Sequence, residues 1–203
     1  GNLYTRPYNT SAKFGVGKRP STVWPGKEQS PAIKPLATEL IDSVENYVKA
    51  NGLDPMRYNI EIKCRKGKDE GKNWPEYHEF VDKCMELLLS KNLGDRLVVQ
   101  CIDPRALNYM HEKYPQVKLS YLISKKDTDW DTYMGKLNFT PDWLSPEFVI
   151  VDQTMVDNCR KAGIRLVPWT VDNEADIRRI LDLHVEAIIT NYPDRVLKIT
   201  RGY

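Results

Sequence analysis

Apolar residues along this chain switch repeatedly between the spacing of a helix and the spacing of a strand. From Pro35 onward, Leu36, Leu40, Ile41, Val44 and Val48 recur at helical intervals, and the run stops at Asn51-Gly52, a helix C-terminal signal. Tyr58-Asn59-Ile60-Glu61-Ile62-Lys63-Cys64 then alternates, which puts Ile60 and Ile62 on one face of a strand and Asn59, Glu61 and Lys63 on the other. Trp74-Pro75 opens a second helical stretch through Phe80, Val81, Cys84, Leu87 and Leu88, and Leu97–Cys101 follows as an apolar strand. Pro104 suits the first turn of a third helix, continued by Leu107, Met110 and His111, before a strand over Val117–Leu122. Residues 127–146 show no clear period. Val156 and Cys159 mark a helix ending at Gly163, Ile164–Trp169 a strand, and Asn173 an N-cap for a helix carrying Ile177, Ile180 and Leu181. Ala187–Thr190 reads as a last strand and Pro193 as the start of a closing helix.

Strands and helices in alternation describe a parallel α/β sheet. No GxGxxG or GxxxxGK follows any strand, so neither a dinucleotide site nor a phosphate loop is indicated. An open doubly wound sheet and a (β/α)₈ barrel remain. In a barrel, inward residues at the C-terminal strand ends build the active site, and Ile60 and Ile62 outward with Glu61 and Lys63 inward fits that geometry. As structure alone, an inward Glu beside an inward Lys is a costly ion pair, and a half-buried surface strand would alternate too. As chemistry, a carboxylate can hold a hard cation and an ammonium can meet a phosphate.

Composition narrows the function classes. The 203 residues are 41% hydrophobic and 29% charged, which is ordinary for one globular domain. A net charge of +2, with Lys and Arg dispersed, excludes a basic nucleic-acid stripe. No apolar run approaches the ~20 residues of a membrane span. Cys64, Cys84, Cys101 and Cys159 have no zinc-like spacing and read as buried free thiols. Residues 1–35, rich in Gly, Pro, Ser and Lys with Tyr4, Tyr8, Phe14 and Trp24 at no regular period, read as an irregular N-terminal arm, part of which packs on the domain or covers a pocket.

Several of these segments carry a resemblance. Asn59-Ile60-Glu61-Ile62-Lys63, Val98-Val99-Gln100-Cys101, Pro168-Trp169-Thr170-Val171-Asp172 and Ala187-Ile188-Ile189-Thr190-Asn191-Tyr192-Pro193-Asp194 resemble, in order and spacing, strand-end signatures of the glycerophosphodiester phosphodiesterase family. Lys34-Pro35-Leu36 with Glu39-Leu40 is similar to the opening of the helix before the first of them. The resemblance implies a (β/α)₈ TIM-barrel fold and metal-dependent hydrolysis of a glycerophosphodiester, with calcium or magnesium, to an alcohol and glycerol 3-phosphate. It makes Glu61 a metal ligand, Lys63 a cationic neighbour of the substrate phosphate, Gln100 a supporting inward polar residue and Trp169 a wall for the glycerol moiety. For Trp169 a barrel-core aromatic is the competing reading. Asn191 stands where the family more often has Asp, and Cys101-Ile102 where Ser-Phe is commoner.

The family's His-Arg-Gly, Glu-x-Asp and His-Asp strands have no counterpart in this sequence. The expectation is therefore an incomplete barrel lacking its N-terminal strands, with residues 36–203 as the C-terminal portion, no catalytic histidine and no activity alone. Phosphodiester hydrolysis needs a proton for the leaving oxygen, but His78 and His111 fall in helices and His184 before a strand, at the wrong end of a barrel. One carboxylate is too few for a calcium ion, which takes ~6–8 oxygens, so this chain alone is not expected to hold the cation tightly. An open barrel would leave strand edges exposed, so a homo-oligomer or strand swap is expected to cover them. Family members that feed on phospholipid debris are exported, which leans the compartment toward the periplasm or outside. The alternative is a non-catalytic barrel remnant that binds a polyol, glycan or protein partner.

Overall fold

The computed structural model describes residues 5–20, 22, 28–67 and 70–201. They fall into two compact units, residues 1–56 with 67–93, and residues 57–66 with 94–203.

In the first unit a single turn of helix, α1 (Tyr8–Ser11), precedes an antiparallel bridge between Val16 and Ala32. Gly17 is needed beside that bridge: its φ is 79°, and a Cβ there would sit 2.0 Å from the Ser30 carbonyl oxygen. Tyr8 donates to the Glu39 carboxylate on the following helix at 3.1 Å while its side chain stays exposed. Phe14 is exposed, with the Arg6 guanidinium over its ring, and the expectations for Tyr4 and Trp24 lie outside the described residues. The predicted helix after Pro35 is α2 (Ala37–Ala50), whose Glu39 carboxylate accepts the Leu36 N–H at 3.0 Å. Its buried face is narrower than the periodicity suggests: Ile41 and Val48 are buried, whereas Leu36 and Leu40 are exposed. The second predicted helix is α3 (Tyr77–Leu89), buried through Val81, Met85 and Leu88. Lys91, just past it, hydrogen-bonds both carboxylate oxygens of Asp42 on α2 at 2.8 and 2.7 Å.

The second unit holds a parallel sheet of β1 (Tyr58–Glu61), β2 (Leu97–Cys101), β3 (Lys118–Ile123), β4 (Trp143–Pro146) and β5 (Arg165–Leu166), in that spatial order. Strands laid down in sequence order with every pair parallel are what one barrel wall requires. Connections run through α4 (Pro104–Lys113), α5 (Trp130–Met134) and α6 (Gln153–Ala162), with α7 (Glu174–Asp182) and α8 (Pro193–Thr200) closing the chain. Capping explains where these helices start. The side chains of Asp103, Asp129, Asp152 and Asn173 each accept a backbone N–H of the first turn, at 2.8–3.0 Å. Pro104 stands in the first turn of α4, and Gly163 ends α6 in the left-handed conformation, as the sequence indicates.

Alternation sorts the strand residues into two layers. Val99, Cys101, Leu119, Tyr121, Ile123, Leu144 and Leu166 are buried on the helix side, where α4 packs on β2 and β3 and α6 on β5. Ala106, Leu107 and Met110 of α4 and Ile177 and Ile180 of α7 are fully buried. Gln100, Ser120, Trp143 and Ser145 take the other, inner face.

Two expectations need correction. Residues 127–146, read as irregular, contain α5 and β4. Ala187–Thr190, read as a strand, is not one, although its backbone continues the ladder: Ala187 N–H donates to the Leu166 carbonyl at 3.4 Å and Ile189 N–H to the Pro168 carbonyl at 2.9 Å.

Candidate functional site

The predicted site residues all fall at the C-terminal ends of the parallel strands. Glu61 is the last residue of β1, opposite Gln100 of β2. The Ile62 N–H still reaches the Gln100 carbonyl at 2.9 Å, and the Cys64 N–H turns back to the Ile62 carbonyl at 2.9 Å. Lys63 therefore sits in a tight turn just past the strand. Its ammonium meets the Glu61 carboxylate at 2.6 Å. The Lys63 side chain is 77% exposed and that of Glu61 28%, so the pair is a rim feature and not the buried ion pair that an inward reading of both residues implies.

Behind that rim lies a belt of polar side chains crossing the inner face. Asn59 donates to the Gln100 Oε1 at 3.1 Å, the Ser145 hydroxyl reaches the same oxygen at 3.4 Å, and Ser145 and Ser120 hydroxyls share a hydrogen bond of 2.8 Å. Gln100, Ser120 and Ser145 are buried, so each needs these partners. Trp169 joins through its indole: Nε1 donates to the Ser145 carbonyl at 2.8 Å. Its backbone continues the ladder from β5, with N–H to the Pro146 carbonyl at 2.9 Å and its carbonyl accepting from the Phe148 N–H at 2.7 Å. The Trp169–Thr170 peptide is cis.

A second carboxylate, which the sequence did not reveal, stands on the same rim. Glu147 follows β4 in bridge register with Trp169, and it accepts the Lys125 N–H at 2.9 Å with the Lys125 ammonium 3.9 Å away. The absence of a visible period over 127–146 hid Ser145, and Glu147 follows two residues on, at the alternation that shares its face.

Past Trp169, Asp172 ties the chain's last segments together. Its carboxylate accepts from the Thr190 hydroxyl at 3.1 Å, the Asn191 N–H at 2.8 Å and the Asn191 side chain at 2.9 Å, while Arg195 donates to its carbonyl. Partial burial is the largest single influence on this carboxyl and pushes it up. The hydrogen bonds from Asn191 and Thr190 and the Arg195 charge together outweigh it, holding Asp172 below the usual carboxylate range.

The histidines lie where the sequence puts them: His78 on α3, His111 on α4 with its ring stacked on Phe139, and His184 in a left-handed turn after α7. Among the described residues, no three His, Cys, Asp or Glu side chains gather as a metal ion would require. With Glu61 engaged by Lys63, the described residues do not by themselves fit a divalent cation.

The inner face also holds a cavity of about 180 Å³, lined by Asn59, Val98, Ser120, Trp143, Val167 and Ala187 together with Arg57, Asp95 and Arg96, which stand at or before the N-terminal strand ends.

Comparison with known proteins places this geometry. The model of the glycerophosphoryl diester phosphodiesterase family matches residues 18–195. The chain belongs to this family. The glycerophosphodiester phosphodiesterase of Bacillus subtilis (strain 168) is 29% identical over 120 residues, 58% of this chain and 41% of that protein. The Caldanaerobacter subterraneus enzyme is 23% identical over 126 residues, 62% of this chain and 51% of that protein. The matches thus span about half the length of these relatives. Among solved structures, a candidate glycerophosphoryl diester phosphodiesterase from Silicibacter pomeroyi DSS-3 superposes with a TM-score of 0.76 at 21% identity, over 97% of this chain and 68% of that one. A phosphodiesterase from Oleispira antarctica, solved with its product sn-glycerol 3-phosphate, gives 0.70 at 20% identity over 98% and 72%. At such identities the likeness is one of fold: the five described parallel strands form part of a (β/α)₈ barrel.

Proposed function

We propose that this chain is the glycerophosphate-binding part of an enzyme that hydrolyses glycerophosphodiesters to an alcohol and glycerol 3-phosphate. The observation that carries the reading is the Glu61–Lys63 pair, 2.6 Å apart, on the same strand ends as Trp169 in a chain of this family. Active sites of (β/α)₈ barrels are built at those ends.

In the reaction water attacks phosphorus, the bond to the alcohol oxygen breaks, and that oxygen takes a proton. Lys63 opposes the phosphate charge, which grows as the bond breaks. Glu61 holds the Lys63 ammonium over the site. Trp169, its indole pinned to the Ser145 carbonyl, offers a fixed apolar wall to the glycerol carbons, and Gln100 braces that wall through Ser145. No histidine of this chain is placed to protonate the leaving oxygen, and a calcium or magnesium ion at Glu61 needs oxygens from other residues. In this reading the acid and the remaining ligands would come from strands like the family's His-Arg-Gly, Glu-x-Asp and His-Asp strands.

The test is release of glycerol 3-phosphate from glycerophosphocholine, with calcium or magnesium against EDTA. The chain as given is expected to be inactive. Appending the His-Arg-Gly, Glu-x-Asp and His-Asp strands of a relative restores metal-dependent turnover, and Glu61→Ala abolishes it. A second reading, a non-catalytic polyol- or glycan-binding barrel, draws on the absence of a cation-sized cluster among the described residues. Metal-independent binding with no turnover in either form would favour it.

A further inference from the structure

The carboxylates at the C-terminal strand ends differ in how fully they are engaged. Glu61 meets the Lys63 ammonium at 2.6 Å, Asp103 meets the Arg105 guanidinium at 2.7 Å, and Asp172 takes the hydrogen bonds of Thr190 and Asn191. Glu147, one residue past β4, is held more loosely. Its Oε2 accepts the Lys125 N–H at 2.9 Å, which fixes the carboxylate in place. Its Oε1 stands 3.9 Å from the Lys125 ammonium, too far for a direct hydrogen bond. The Glu147 side chain is 22% exposed and that of Lys125 66%, so a small molecule reaches both. A hydroxyl fits the gap between them: at ~2.8 Å from each, it accepts from the ammonium and donates to the carboxylate.

Trp169 supplies the apolar complement. It stands in bridge register with Glu147, which sets the two side chains on one face. Its Nε1 is committed to the Ser145 carbonyl at 2.8 Å, so what the half-buried indole still offers is the apolar surface of its ring. A polyol has the same two sides, a C–H surface that packs on a ring and hydroxyls that need polar partners.

We propose that Glu147 and Lys125 bind the hydroxyls of the substrate's glycerol moiety, and so select glycerophosphodiesters over phosphodiesters of simple alcohols. The inference rests on the phosphodiesterase reading and extends it: Lys63 opposes the phosphate, whereas Glu147 and Lys125 recognise the group attached to it. A glycerol hydroxyl leaves both charged groups paired. An alkyl chain of the same length takes water from them and gives nothing back, which is how a polar site rejects an analogue that lacks its hydroxyl.

The experiment is calorimetric titration of glycerol 3-phosphate and of propyl phosphate, which has the same carbon chain without the hydroxyls, into the unaltered chain and two variants. The unaltered chain is expected to prefer glycerol 3-phosphate by about tenfold or more. Glu147→Gln should abolish that preference, and Lys125→Ala should reduce it. Lys125 is exposed, so its variant keeps the test intact if the Glu147 variant fails to fold. Equal binding of the two phosphates by the unaltered chain, or a full preference that survives in the folded variants, overturns the inference and leaves the phosphate reading standing. Binding of neither phosphate overturns both.

Discussion

At the scale of single residues, Gln100 bears more than its place in the strand suggests. Its one side-chain oxygen serves both Asn59 and Ser145, and Ser145 in turn holds Ser120 and, through its carbonyl, the Trp169 indole. Gln100→Leu keeps the volume but takes the acceptor from the buried Ser145 hydroxyl. The expected loss is about 1–3 kcal/mol in a urea unfolding titration, the range for an unsatisfied buried polar group. Asp172 gives the pH dependence. Its folded-state value lies below the ordinary carboxylate value, so its hydrogen bonds stabilise the fold fully above about pH 4 and are lost as pH falls through the depressed value. Asp172→Asn should therefore lower stability at pH 7 and flatten its fall in acid, measured as thermal midpoints from pH 7 down to 3. The period of two puts Glu61 and Gln100 on one face of neighbouring strands, but it does not extend to Lys63, which lies past the end of β1. The exposure of Lys63 was not legible, because a tight turn after Glu61 releases it to the rim.

At the scale of elements, sequence and structure part at β4 and at residues 187–190. Trp143-Leu144-Ser145-Pro146 hides its strand because its inner face carries Trp and Ser while Leu144 marks the helix side, with Pro141 just before it and Pro146 as its last residue. Tertiary pairing with β3 decides the matter, through registers from Ser120↔Trp143 to Ile123↔Pro146. Leu144 is fully buried, so Leu144→Ala should cost about 2–5 kcal/mol in the same titration. The opposite error at Ala187–Thr190 has a related cause. The apolar run reads as a strand, and its N–H groups do reach Leu166 and Pro168, but few bonds complete the ladder. The helices were read better, since Pro104, Asn173 and Gly163 announce their ends by backbone chemistry that needs no partner.

At the scale of the molecule, the parallel α/β order was legible from the alternation of periods, and the strand-end signatures narrowed it to one family. What the sequence left hidden is how the inner face is filled: the polar belt and the cavity at the N-terminal strand ends arise from pairing across five strands. The central claim is that the Glu61–Lys63 end of the sheet recognises glycerol 3-phosphate, and calorimetric titration of that compound into the chain tests it most directly. The account predicts saturable binding weakened at least tenfold, about 1.4 kcal/mol, by Lys63→Ala and weakened by Trp169→Ala, with Lys66→Ala unchanged. No binding, or binding indifferent to Lys63 and Trp169 in folded variants, would contradict it.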